Sequence, residues 1–113
     1  MNSSQKTEFF VDLLEEKKLV DIYAIDVSKI TSVVDVFIIA TALNDRQARA
    51  VVDVIEEKAE EKGIKVLGIE GEKDGKWILM DYSDVVIHIF TKDERAFYNL
   101  EKLWSEGRIL KGE

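Results

Sequence analysis

Apolar residues recur with helical spacing in some segments of the chain and form short strand-like runs in others, and these patterns predict its secondary structure. Near the N-terminus they recur every three or four positions, at Phe9, Phe10, Leu13 and Leu14. This spacing predicts an amphipathic helix from about Thr7 to Lys18, with Thr7 as its cap. Two short runs rich in β-branched residues then predict strands at 21–27 and 36–42. The second run is apolar at almost every position, so it should lie centrally in a sheet that is covered on both faces.

The next element is a long helix, for which Asn44 or Asp45 can supply the cap. Its buried stripe should comprise Ala48, Val51, Val52, Ile55 and Ala59. Gly63 should end the helix, because glycine readily adopts the left-handed conformation found after helix C-termini.

Three further strands, at 64–70, 76–81 and 84–90, and a last helix at about 92–105 complete the predicted elements. Their order predicts an α/β fold with a mixed sheet of about five strands packed by helices. The whole chain, 1–113, should form one domain, since its length suits a single core. That core should span about 7–105, and residues 107–113 should be a flexible tail.

The strands at 76–81 and 84–90 should form a β-hairpin with two different faces. If Tyr82 and Ser83 form a two-residue turn, Asp81 lies directly opposite Asp84 and the pairing of the strands is fixed. One face is purely apolar and should pack on the helices. The other face should be apolar in its middle and acidic at one edge, and it carries Trp77, Leu79, Val86, His88, Asp81 and Asp84.

The polar residues of that face allow more than one interpretation. Asp81 and Asp84 would repel each other unless a bound cation, a partner's Lys or Arg, or nearby backbone amides offset them. His88 can be a catalytic base or the buried neighbour of Trp77, and we expect the neighbour, because no residue of these strands can complete a triad with it. Trp77 can belong to the core or anchor an interface. We favour the anchor, because the other face of its strand already supplies the core.

Charge and composition narrow the choice of partner. Asp and Glu number 23 against 16 Lys and Arg, which gives a net charge of −7. Nucleic acids and anionic membranes require the opposite excess, so a basic protein is the better main partner, and we expect no direct DNA binding. The chain has no cysteine, one histidine and no glycine-rich phosphate loop, and we predict no catalytic residue, metal or cofactor. It also has no signal-like or membrane-spanning segment, so we expect a cytoplasmic location.

Three stretches carry more specific motifs: VDVFIIATALNDRQ (34–47), GIEGEKDGKWILMDYSDVVIHIF (68–90) and RAFYNLEKLW (95–104). In this order they resemble the ribosomal silencing factors, also called the Iojap family. The resemblance implies a small homodimer with a nucleotidyltransferase-like fold and no established catalytic activity. It also implies binding to the fourteenth ribosomal protein of the large subunit, which blocks joining of the small subunit and lowers translation when nutrients are scarce.

Combining the resemblance with the two faces of the hairpin predicts the residues that contact the partner: Trp77, Leu79, Asp81, Asp84, Val86, His88, Glu70 and Tyr98. The apolar members would anchor the partner, and the carboxylates would pair with its Lys and Arg residues. The alternative is a metal-dependent nucleotidyltransferase, whose chemistry needs clustered carboxylates, with Asp81 and Asp84 as the nearest candidates.

The family commonly has glycine where this chain has Ser83, and serine is costly in a tight turn that requires positive φ.

Overall fold

The chain builds a mixed six-stranded sheet with helices packed against it. The structure is a computed structural model that describes residues 1–97 and 107–111. Its helices are α1 (Ser3–Glu16), α2 (Asp45–Glu61) and α3 (Lys92–Phe97). Its strands are β1 (Val20–Asp26), β2 (Val36–Ala42), β3 (Gly68–Glu70), β4 (Trp77–Asp81), β5 (Val85–Thr91) and β6 (Arg108–Lys111).

The strands lie in the order β3-β4-β5-β2-β1-β6. Strands β2 and β5 pair in parallel, whereas the other four pairings of the described strands are antiparallel. The predicted α/β class with a mixed sheet is confirmed, with six strands instead of about five. The central position predicted for β2 is also confirmed, since it lies between β5 and β1.

Helices α1 and α2 cover one face of the sheet and bury the larger core there. The side chain of Asn44 caps α2 by accepting a hydrogen bond from the backbone N–H of Gln47 at 2.8 Å. The buried residues of α2 are the predicted stripe, Ala48, Val51, Val52, Ile55 and Ala59. They pack with Phe10 and Leu14 of α1 and with the inward side chains of the sheet, which include Ile38, Ile78, Met80 and Ile87.

Helix α1 begins earlier than predicted, because the capping signal lies at its first residues. Asn2 is the N-cap, and its side chain accepts from the backbone N–H of Gln5 at 2.8 Å. The Gln5 side chain accepts from the backbone N–H of Asn2 in return, which completes a capping box. Thr7, the predicted cap, is buried inside the helix and donates its hydroxyl to the carbonyl of Ser3.

The opposite face of the sheet has a smaller apolar cluster of Ile25, Val27, Ile39 and Phe90. Tyr23, Val34 and Phe37 pack against this cluster and are half-buried. Strand β2 therefore contributes to two cores, which explains its nearly continuous apolar sequence. None of the helices in the described residues is long and apolar enough to cross a membrane.

The C-terminal residues depart from the prediction of a flexible tail over 107–113. Arg108–Lys111 form β6 and pair antiparallel with β1. This pairing satisfies backbone groups on the outer edge of β1 that would otherwise be open, and Arg108 lies 3.7 Å from Asp26 of that strand. The tail prediction is therefore wrong for 108–111. The strand predicted at 64–70 is shorter than expected, and the part of the last helix predicted beyond Phe97 lies outside the described residues.

Residues 71–76 connect β3 to β4, and Gly71 allows the sharp return that sets β3 against β4. Gly71 has φ +86°, and a Cβ added there would overlap the carbonyl oxygen of Trp77. The return places Glu70 directly opposite Leu79 on the neighbouring strand. Gly71 thereby positions two of the predicted contact residues side by side.

We predict that Gly71→Ala lowers the free energy of unfolding by at least about 2 kcal/mol, because it combines a strained φ with a backbone overlap. Urea denaturation measures this loss. Gly68→Ala is the matched control, since its added methyl would meet nothing within 4 Å. It should change stability by no more than about 0.5 kcal/mol. Equal stability of the two variants would contradict the role given to Gly71.

Candidate partner-binding site

The β4–β5 hairpin keeps the predicted faces but has a different register. The backbone N–H of Tyr82 donates to the carbonyl of Val85 at 2.9 Å, so the turn is formed by Ser83 and Asp84. The cross-strand pairs are Asp81 with Val86, Leu79 with His88, and Trp77 with Phe90. The predicted pairing is thus wrong by two residues. Because strand side chains alternate with a period of two, every side chain of the two strands still lies on its predicted face, whereas Asp84 belongs to the turn.

One face of this hairpin continues across β2 as a surface that we call the aromatic face: Phe37, Trp77, Leu79, Val86, His88 and Phe90. Trp77 is 38% exposed, and its ring stacks on Phe90 with centroids 4.9 Å apart. Leu79 and His88 are half-buried, whereas Val86 is only 7% exposed. Of the predicted apolar anchors, Trp77 and Leu79 are therefore the accessible ones, and Val86 supports them from beneath.

A hydrogen bond fixes the orientation of Trp77. Its indole Nε1–H donates to Nδ1 of His88 at 3.1 Å. The imidazole must then be unprotonated at Nδ1 and carry its hydrogen on Nε2. That Nε2 is buried and has no hydrogen-bond partner among the described residues. The prediction that His88 is the neighbour of Trp77 is confirmed.

Burial also decides the charge of His88. Removal from water lowers the pKa of His88 from 6.5 to about 4, so the ring is neutral at physiological pH. The Phe37 ring meets it edge-on, with centroids 5.0 Å apart, and adds to the apolar surroundings. A neutral imidazole whose Nδ1 is occupied by Trp77 is a structural acceptor, and its pKa lies well below that of a general base working near pH 7.

Asp81 and Asp84 do not oppose each other, so the predicted repulsion between them does not arise. Asp81 accepts a hydrogen bond at Oδ1 from the backbone N–H of Ser83 at 2.8 Å. Ser83 has φ +73°, so this bond supports the strained turn residue. Local capping, one of the interpretations left open by the sequence, is thus confirmed for Asp81.

Asp84 has a different role, which the sequence did not indicate. Its Oδ1 lies 2.8 Å from Nζ of Lys6, on helix α1, and both side chains are partly buried. The two residues are 78 positions apart, and no local pattern could have linked them. Asp84 therefore joins the hairpin turn to α1 and is less available to a partner than predicted.

The remaining predicted residues are Glu70 and Tyr98. Glu70 is exposed and lies opposite Leu79, which places it on the same side of the sheet as the aromatic face. Together with half-buried Asp81, it forms what we call the acidic margin of that face. Tyr98 lies outside the described residues.

Two aromatic residues of this face, Phe37 and Phe90, were not among the predicted contacts. The run 36–42 is apolar at every position except Thr41, so its composition did not separate inward from outward side chains. Strand alternation was the available signal, because it places Phe37 on the face opposite Ile38. Phe90 has the same parity as His88, and at 1% exposure it forms the floor beneath Trp77.

These features define a class of small α/β proteins with a mixed six-stranded sheet, and two crystal structures are similar to this chain. One, of a protein from Bacillus halodurans, has a TM-score of 0.84 and 33% identity, and covers 96% of this chain and 99% of its own. The other, of a protein from Chromobacterium violaceum, has a TM-score of 0.87 and 34% identity, with coverage of 93% and 88%.

The family described as RsfS, ribosomal silencing factor during starvation, matches residues 1–112. The ribosomal silencing factor of Bacillus subtilis is 40% identical over 109 residues, which span 96% of this chain and 92% of that protein. The chloroplastic protein Iojap of Zea mays is 36% identical over 89 residues, 79% of this chain and 39% of that protein. The chain belongs to the ribosomal silencing factor family, as its motifs predict.

The depressed pKa of His88 predicts a loss of stability in mild acid. Between pH 6.5 and 4 the unfolded chain binds a proton on this histidine and the folded chain does not. Stability should therefore fall as pH drops through this window and change no further through His88 below it. From pH 7.5 to 5 the loss is about 2 kcal/mol.

Urea denaturation at a series of pH values measures this effect. His88→Asn is the control, since its carbonyl oxygen can still accept from Trp77 but does not titrate. The variant should lose less stability over the same range, whatever its stability at neutral pH. Identical slopes for the two proteins would show that His88 is not the group responsible.

Proposed function

We propose that this protein binds the large ribosomal subunit through the fourteenth ribosomal protein and sterically blocks joining of the small subunit. Translation would thereby be repressed under nutrient limitation, without any bond being made or broken. Membership of the ribosomal silencing factor family is the observation that carries this proposal. We propose a cytoplasmic location as well, since that is where a bacterial-type silencing factor would meet its ribosomes.

The aromatic face supplies the anchor in this proposal. Trp77 offers an exposed ring that is held from below by Phe90 and from the side by His88. Aromatic rings whose rotamers are already fixed lose little entropy on binding, and Trp is enriched among the residues that dominate interfaces. Leu79 extends the apolar contact towards Glu70.

The acidic margin supplies orientation. Glu70 and Asp81 lie at the edge of the aromatic face and would pair with Lys and Arg residues of a basic ribosomal protein. The hydrogen bond to Ser83 uses one carboxylate oxygen of Asp81 and leaves the charge in place. Charges at the rim of an interface speed association and fix the docking direction more than they add affinity.

The alternative function, metal-dependent nucleotidyl transfer, has less support. It would need a carboxylate pair that shares metal ions. The two nearest candidates contact other groups, because Asp84 binds Lys6 and Asp81 binds the backbone of Ser83. Isothermal titration with magnesium and nucleotides tests this alternative, and site-binding heats would favour it.

The free protein is proposed to be a homodimer that uses a surface overlapping the ribosome-binding face. Trp77 is a large apolar residue that is 38% exposed, and burying it against a second copy would remove that area from water. Dimer formation and ribosome binding would then compete for the same ring. Sedimentation of the free protein, with and without added large subunits, follows this competition.

We predict that Trp77→Ala weakens co-sedimentation with purified large subunits by about 30-fold, as expected for loss of about 2 kcal/mol at an interface anchor. Large subunits carrying the variant should again accept small subunits and form complete ribosomes. Leu43→Ala is the control, since Leu43 is 70% exposed but lies beyond the end of β2. It should behave as the unmodified protein. Equal affinity of both variants would contradict the anchor.

We predict that removing the charges of the acidic margin weakens binding mainly at low salt. Glu70→Gln combined with Asp81→Asn keeps an oxygen for Ser83 and should cost about fivefold in affinity at about 50 mM salt. The effect should shrink towards about 0.5 M salt, where exposed charges are screened. Asp53→Asn with Glu57→Gln, on the exposed side of α2, is the charge-matched control. Losses that are independent of salt would contradict an electrostatic role.

A further inference from the structure

A cleft of about 290 Å³ opens at the end of the molecule where the β4–β5 turn lies. It lies between the start of α1, the segment that follows α2 and the turn itself. Three lysines line it, Lys6, Lys62 and Lys65, together with Ile64, Leu67 and Ser83. No Asp or Glu is among its described lining residues. We call it the basic cleft.

The charge of this cleft is opposite to that of the chain as a whole. Acidic residues outnumber basic ones by 23 to 16 in the sequence, yet three cations converge here. Lys6 is neutralised by Asp84, at 2.8 Å. Within residues 1–97 and 107–111, Lys62 and Lys65 form no ion pair, and both are exposed. Neither lysine has a carboxylate partner among the described residues, and an anionic ligand in the cleft would attract both.

The chemistry of the cleft suits phosphate groups. Lysine ammonium groups act as point charges that bind phosphate oxygens without demanding one geometry, whereas arginine binds phosphate and carboxylate in a fixed bidentate geometry. No arginine is among the described lining residues. Lysines of this kind contact nucleic-acid backbones and read no base.

The position of the cleft relates it to the proposed partner-binding face. Ser83 lines the cleft, and its backbone N–H is bonded to Asp81 of the acidic margin. The two surfaces therefore meet at the β4–β5 turn. With a ribosomal protein docked on the aromatic face, the cleft would lie at the edge of that interface, open to RNA of the same subunit.

We propose that the basic cleft binds backbone phosphates of large-subunit ribosomal RNA beside the docked ribosomal protein. This inference rests on the proposed function. The protein would hold the subunit by two chemically different contacts, an apolar and acidic one to protein and a cationic one to RNA. The lysines also counter the repulsion between RNA and a chain of net charge −7.

The test compares the double variant Lys62→Glu, Lys65→Glu with the unmodified protein on three targets: large subunits, the isolated fourteenth ribosomal protein, and large-subunit RNA freed of protein. The variant should bind subunits about tenfold more weakly at 0.1 M salt, and its log–log salt slope should be smaller by about 1 to 2. Binding to the isolated ribosomal protein should be unchanged. Lys17→Glu with Lys29→Glu alters two exposed lysines outside the cleft and controls for net charge.

Each outcome bears on a different conclusion. An equal loss on subunits and on the isolated ribosomal protein would mean that the cleft contacts protein, and it would overturn the RNA assignment. Equal binding of the cleft variant and the control variant to subunits and to free RNA would overturn it as well. If the unmodified protein bound free RNA better than the cleft variant but bound neither subunits nor the ribosomal protein, the proposed function would fail and the cationic RNA site would stand.

Discussion

The parallel pairing of β2 with β5 is the constraint on which the rest of the fold depends. It runs without interruption from Val36 opposite Val85 to Ala42 opposite Thr91. Parallel strands cannot be joined by a tight turn, so the chain between them must return to the starting end of the sheet. Helix α2 makes this return across one face, and the short strand β3 and β4 add to the outer side of β5. The β4–β5 hairpin therefore has one face under the helices, and its other face carries the aromatic residues.

Asp84 is the point where this pairing, the hairpin and α1 are joined. Its carbonyl oxygen accepts from the backbone N–H of Asp35 at 2.8 Å and of Val36 at 3.1 Å, at the start of β2. Its carboxylate binds Lys6. Residues in and next to this turn consequently belong to different surfaces. Asp84 joins the turn to α1 and β2, Ser83 lines the basic cleft, and Asp81, at the end of β4, belongs to the acidic margin.

The features that the sequence predicted well are those that depend on periodicity. The stripe of α2 and the bounds of β2 follow from residue spacing within one element. The faces of the hairpin survived an error of two residues in register, because a strand repeats every two residues. The residue pattern within one element could not indicate contacts between segments that are distant in the sequence. The ion pair of Lys6 with Asp84 and the docking of β6 on β1 depend on tertiary structure, and a four-residue strand with two apolar residues has too little pattern of its own.

The hydrogen bond between Trp77 and His88 explains why the aromatic face, which is otherwise apolar, contains a histidine. An indole exposes a large ring and one N–H donor, and that donor would need an acceptor from any partner that covered it. His88 already provides this acceptor, because burial keeps its imidazole neutral and leaves the Nδ1 lone pair available. Trp77 can therefore present its ring to a partner without leaving its N–H unpaired on binding. The choice between partners then depends on the charges around the ring. These charges are negative at Glu70 and Asp81 and positive in the cleft beyond the turn.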